Sequence, residues 1–251
     1  VYLCNYPYWS AAHTLDALVF APILVDGVLV GFSSCRVHLL DLKQKDAGYV
    51  LDSTDMSQEG IFFPCSKIYD QGKICDDIFN IIRFNSRMPE RTIGDLQAQV
   101  SAVHTGDVRL REIVNKFSLK SVIEAMEEIN QHGERLSRAA VARLPKGTWT
   151  ASDFLDSDGV IPDERVEMKV TVTVEGDHMT IDWTATNKGA VGPINMPIGG
   201  TWAASRLAFK SLTTPDSNIC AGNFRNLDIK TTEGSLMHAT PPMPTFTLWT
   251  G

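Results

Sequence analysis

Two apolar runs, Ala17 to Val25 and Val28 to Cys35, meet at the dipeptide Asp26-Gly27. That combination specifies a β-hairpin, because a two-residue turn needs positive φ at both central positions, which Gly tolerates freely and Asp better than most. The turn in turn sets a register. With Val25 facing Val28, Asp16 lies opposite Val37 and His13 opposite Leu40, so His38 arrives beside both at the open end of the hairpin. Two imidazoles and a carboxylate are thereby gathered by local geometry. They form a candidate 2-His-1-carboxylate site, a set that leaves coordination positions open and suits iron, manganese or zinc. The same residues also admit a plainer reading, in which His13 and His38 end strands and Asp16 accepts a turn hydrogen bond.

Composition narrows the partners. The 251 residues are 43% hydrophobic and 21% charged, the balance of a globular protein with material for a large core. A formal net charge of -7 argues against nucleic acid, whose phosphates need clustered Lys and Arg. No apolar run approaches the ~20 residues that span a bilayer, and no secretory signal pattern is present. Five cysteines, Cys4, Cys35, Cys65, Cys75 and Cys220, form no Cys-x-x-Cys pair, which predicts buried, reduced thiols and a cytoplasmic protein.

Along the chain, residues 42–75 read as a polar stretch and a loop crossing the open end of the hairpin. From Asp76 the period becomes helical. Ile78, Ile81 and Ile82 share one face, capped by Asp76 or Asp77 and closed by Pro89; a second run carries Ile93, Leu96, Val100 and Val103 and continues past a break at Gly106; a third spans Val122 to Leu144. His104 falls on the second helix and reads as structural. Trp149 to Asp163 reads as a loop whose acidic residues build turns rather than a calcium site, for which their order is wrong. A second hairpin alternates strictly from Val166 to Val174 and from Met179 to Trp183 about Glu175-Gly176-Asp177. A last helix is expected from Thr201 with Trp202, Leu207 and Phe209 partly buried. The glycine pair before it fits no phosphate-binding fingerprint. The sum is an α+β fold: hairpin-based mixed and antiparallel sheets with a helical middle, in two packed lobes. The expected divisions are 1–75, 76–145 and 146–251.

Several words of the sequence resemble the hydantoinase B/oxoprolinase family, which includes the large subunits of acetone and acetophenone carboxylases. They are Asn5-x-Pro7-Tyr8 leading to His13-x-x-Asp16, Arg36-x-His38-x-x-Asp41, Gln58-Glu59-Gly60, Asn85-Ser86-Arg87, Gly192-Pro193-Ile194-Asn195 and Ala221-Gly222-Asn223-Phe224-Arg225. The resemblance covers nearly the whole chain and implies one divalent transition metal (zinc, manganese or iron) on His13, Asp16 and His38. It further implies Glu59 as a general base or a supporting carboxylate, with Asp41 as the other candidate catalytic residue. Mg-ATP is expected on a hydantoinase A-like partner subunit in a hetero-oligomer. Family members are longer at both ends, which marks this chain as an internal portion.

Where the family carries Asn-Asp-Pro-Tyr, a glycine-rich approach to the first histidine and a His-His pair, this chain has Tyr6, Ser10-Ala11-Ala12 and Leu39. The surroundings of His13 become more aromatic and apolar. The implied chemistry is ATP-dependent hydrolysis of a cyclic amide of hydantoin, oxoproline or lactam type. ATP-dependent ketone carboxylation is the alternative, and a scaffold subunit with a decayed metal site the second.

Overall fold

The computed structural model describes residues 1–10 and 12–246. The chain opens with β1 (Tyr2–Cys4), α1 (Pro7–Ser10), β2 (Asp16–Val25), β3 (Val28–His38) and the short strands β4 (Ser66–Lys67), β5 (Tyr69–Asp70) and β6 (Lys73–Ile74). The helical middle follows: α2 (Asp76–Asn85), α3 (Pro89–Phe117) and α4 (Leu119–Arg143). The remainder is β7 (Gly147–Leu155), β8 (Val166–Glu175), β9 (His178–Asp182), α5 (Ile198–Thr213) and β10 (Leu227–Lys230). One antiparallel sheet has the order β3-β2-β1-β4; a second, mixed sheet has the order β10-β9-β8-β7, with β10 parallel to β9. This is the expected α+β architecture.

The β2–β3 hairpin turns at Asp26 (φ 50°) and Gly27 (φ 79°), as the dipeptide requires. The expected register holds only at the tip. Val25 pairs with Val28 and Leu24 with Leu29, but a bulge then leaves Val30 without an opposite residue and Ile23 pairs with Gly31. Every later pair is displaced by one residue, so Asp16 lies directly opposite His38 rather than Val37. The bulge tightens the site that the turn alone placed only approximately.

One face of the hairpin, including Ala17 and Val19, is buried against Ile93, Leu96 and Val103 of α3. Gln99 of α3 ties the two strands together, its amide donating to Ala17 O (2.8 Å) and Cys35 O (3.0 Å). Helix α3 runs through Gly106 unbroken, and Pro89 opens this helix instead of merely closing α2, since its missing N–H is no loss in a first turn. The cap expected from Asp76 or Asp77 belongs to Cys75, whose side chain makes no capping bond. Gly106 is there for space: a Cβ would stand 2.1 Å from Ser33 Oγ on β3. Gly106→Ala is expected to cost about 1–3 kcal/mol by overpacking, outweighing the ~1 kcal/mol that alanine gains in a helix. Adding Ser33→Ala should recover most of that loss in urea unfolding.

The second core joins Val141 of α4, Val174, Met179 and Ile181 of the second sheet, and Phe209 of α5. Hairpin β8–β9 turns as expected, with Glu175 pairing His178. The stretch expected to be a loop from Trp149 is instead strand β7 as far as Leu155, paired along its length with β8. It escaped detection because it is an edge strand, exposed over most of its length and so without alternation; threonine pairs Thr148–Thr173 and Thr150–Thr171 stitch it to β8 at 3.2 and 3.1 Å. Beyond it, Asp158 builds a turn, accepting from the amides of Val160, Ile161 and Gly192. Helix α5 begins earlier than expected, at Ile198, and buries Phe209 while Trp202 and Leu207 stay exposed. Among the described residues no helix is long and apolar enough to cross a membrane.

Candidate functional site

The site lies at the open end of the first hairpin, where the loop preceding β2 is braced from below. Asn5, just past β1, donates to Thr14 O (2.8 Å) and Ile61 O (2.9 Å) and accepts from the Phe63 amide (2.6 Å). One buried amide side chain thus locks the residue after His13 to the loop after Glu59. Asp16 Oδ2 accepts from the amides of Ala12 (3.1 Å) and His13 (3.4 Å), closing the turn, and lies 3.6 Å from His13 Nδ1.

His13 is fully buried. Its ring stacks on Phe246 (5.5 Å between centroids, planes at 22°) and meets His38 edge-on at 4.9 Å. Tyr49 stands 5.6 Å from the His38 ring and 6.1 Å from the His13 ring. Burial lowers the His13 pKa; the Asp16 carboxylate opposes this, while His38 and Arg36 reinforce it. The ring is therefore neutral near pH 7, the form in which imidazole ligates metals. Both His13 nitrogens lack a hydrogen-bond partner although buried. An imidazole in that state carries an uncompensated desolvation cost, which a bound ion or water would relieve. His38 is exposed at the mouth, and Asp16 is half-buried between solvent and the His13 ring. The donor set thus fits a divalent transition ion in kind. Among the described residues, no three His, Cys, Asp or Glu side chains are already gathered as a ligand cluster.

The two further carboxylates have distinct surroundings. Asp41 is buried; its Oδ2 accepts from the Arg87 amide and its Oδ1 lies 3.2 Å from the Arg87 guanidinium, which also donates to Gln44 O. It pins the loop after His38 to the junction of α2 and α3. Glu59 is also buried, and its oxygens are taken by Ser53 Oγ (2.7 Å), the Thr245 amide (2.8 and 3.0 Å), Thr245 Oγ1 (3.4 Å) and the Phe246 amide (3.1 Å). Both oxygens are thus committed to donors of the protein itself. Burial raises its pKa to about 7, and the hydrogen bonds from Ser53, Thr245 and Phe246 pull the other way.

Residues 242–246 therefore form a strap across the first lobe. Met56 N donates to Pro242 O (3.0 Å), the Tyr8 hydroxyl donates to Met243 O, and Glu59 holds the end that lays Phe246 on His13. Sequence reasoning missed Phe246, Thr245, Ser53 and Tyr49, none of which carries a local signal. Tyr6 packs edge-on against Tyr8, Trp9 and Phe62, with Trp9 66% exposed, whereas the rings that meet His13 are His38, Tyr49 and Phe246. His104 is exposed on α3.

Comparison with known proteins bears on this arrangement. The family described as hydantoinase B/oxoprolinase matches residues 1–250. The putative B-type subunit of a D-/L-hydantoinase from Pseudomonas sp. (strain NS671) is 34% identical over 98% of this chain and 43% of its own length. The ATP-dependent caprolactamase of Pseudomonas jessenii shares the fold with a TM-score of 0.88 at 24% identity, over 97% of this chain and 42% of that one. Acetone carboxylase in a nucleotide-free structure shares it with a TM-score of 0.86 at 16% identity, over 98% of this chain and 34% of that one. The chain thus spans less than half the length of these relatives. With the family model matched over residues 1–250, the chain belongs to the hydantoinase B/oxoprolinase family.

Proposed function

We propose that this chain is the metal-binding portion of an ATP-dependent enzyme that hydrolyses a cyclic amide, with His13, Asp16 and His38 holding one divalent zinc, manganese or iron ion. The observation that carries the reading is His13: two unpartnered nitrogens on a buried, neutral ring, beside a carboxylate and a second imidazole. Such an ion supplies Lewis acidity at a carbonyl and lowers the pKa of water towards ~7. The protein's own part is positioning. Asp16 brings negative charge to the buried ring, Phe246 and Tyr49 wall it with apolar faces, and Glu59, a positioning residue, keeps Phe246 in place. Arg36 lies opposite Leu18, two residues before His38 on the same strand face, and its charge reaches His13; that suits it to the anionic oxygen of an activated substrate.

Mg-ATP belongs, in this reading, to a hydantoinase A-like partner subunit of a cytoplasmic hetero-oligomer. The 34% identity to a B-type hydantoinase chain favours the hydrolytic branch, and the exposed Trp9 and Tyr49 favour a substrate more apolar than hydantoin, such as a medium-ring lactam. ATP turnover by the full-length protein with its ATP-binding partner checks this. Lactams should stimulate it without bicarbonate. Stimulation by hydantoins alone would reject the apolar preference, and stimulation only by ketones with bicarbonate would transfer the chain to the carboxylating branch, which shares its fold.

A further inference from the structure

Away from the three proposed ligands, two cysteines meet across the first sheet. The β1–β4 ladder pairs Tyr2 with Lys67 and Leu3 with Ser66, and Cys4 and Cys65 are the residues that flank its last pair, Cys65 in a left-handed turn (φ 56°). Cys4 is buried, Cys65 is exposed at the sheet edge, and both are free thiols that influence each other electrostatically. Ser10 Oγ donates to Cys4 Sγ at 3.1 Å. Burial pushes the Cys4 thiol up, but hydrogen bonds from the Ser10 hydroxyl, the Cys65 thiol and the amides of Tyr6 and Cys65 outweigh it and hold Cys4 below the ordinary thiol range. Burial and the bond to Cys4 push Cys65 the other way. Two neighbouring free thiols, one buried with its pKa lowered and the other open to solvent, are the parts of a dithiol–disulfide couple.

We propose that Cys4 and Cys65 form a reversible thiol-modification site that takes small disulfides of the glutathione type. Cys65 meets the small disulfide first: its sulfur displaces one thiol and forms a mixed disulfide, its proton leaving with that thiol. The Cys4 thiolate then attacks the Cys65 sulfur, forming the Cys4–Cys65 bond and expelling the second small thiolate. Two protein thiols are oxidised and one small disulfide is reduced to two thiols. The reaction turns the acceptor of the Ser10 hydroxyl at the end of α1 into a neutral, weaker-accepting disulfide sulfur and tethers the residue before Asn5, so it acts on the segment that delivers His13.

Peptide mass spectrometry after exposure of the full-length protein to oxidised glutathione, with the remaining thiols alkylated, tests the proposal. A Cys4–Cys65 crosslink should appear before modification of Cys35, Cys75 or Cys220, and dithiothreitol should reverse it. Cys65→Ser should leave Cys4 reduced, and Ser10→Ala should slow alkylation of Cys4 near neutral pH in the Cys65→Ser background by several-fold. A stable glutathione adduct on Cys65 without the crosslink, or crosslinking of other cysteines at the same oxidant concentration, would overturn it. The readout is covalent, so it stands or falls independently of the metal reading.

Discussion

On the proposed ligand set, Asp16→Asn and His38→Ala are each expected to reduce the divalent ion content of the full-length protein from about one per chain to background, and to lower turnover by about 100-fold or more. Metal analysis of natively purified protein measures the first effect and ATP-coupled turnover the second. Neither variant threatens the fold. Asn at position 16 keeps an oxygen to accept from the amides of Ala12 and His13 while losing the charge, and His38 is exposed, so its truncation opens no core cavity. His13→Ala is a poorer test, because emptying a fully buried ring site against Phe246 adds a cavity cost of about 2–5 kcal/mol. Metal retained in both chosen variants would reject the ligand assignment. A native protein without metal would bring forward the scaffold reading, in which the aromatic replacements around His13 mark a decayed site.

The second large effect concerns Glu59. Glu59→Ala leaves the Ser53 hydroxyl and the amides of Thr245 and Phe246 buried without an acceptor, and at about 1–3 kcal/mol per orphaned group a loss of about 3–5 kcal/mol is expected. Glu59→Gln keeps one oxygen but turns an N–H towards donors and should lose about half as much. With it goes the anchorage of Phe246, so ring-current shifts of the His13 protons in NMR would report release of the strap.

Glu59 also predicts a pH signature. Its carboxyl, ordinarily near 4.5, is raised by burial to about 7 in the folded chain, so the folded state binds the proton more tightly than the unfolded state. Its contribution is therefore fully present below about pH 4.5 and is lost as pH rises through about 7, a swing of about 3 kcal/mol. Chemical denaturation at about pH 5 and pH 8 should show that fall in the wild type and its absence in Glu59→Gln. An equal fall in both would remove Glu59 as its source.

What the sequence determined by itself is whatever its own neighbours enforce. Asp26-Gly27 requires a hairpin turn, and the alternation from Val166 to Val174 a half-buried strand. The apolar faces of α2 and α3 and the helix-ending Pro145 are equally local, and so is the spacing that brings His13, Asp16 and His38 to one end of one hairpin. Tertiary structure decided the rest, because packing between distant segments leaves no mark on local periodicity. The bulge at Val30 sets Asp16 opposite His38. An edge strand without alternation forms from Gly147 because β8 offers it a ladder. Gly106, which looks like a helix break, is an accommodation to Ser33. Glu59 finds its amide partners 186 and 187 residues away, in the strap that seats Phe246 on His13, because a buried carboxylate is stable only where the fold brings donors to it.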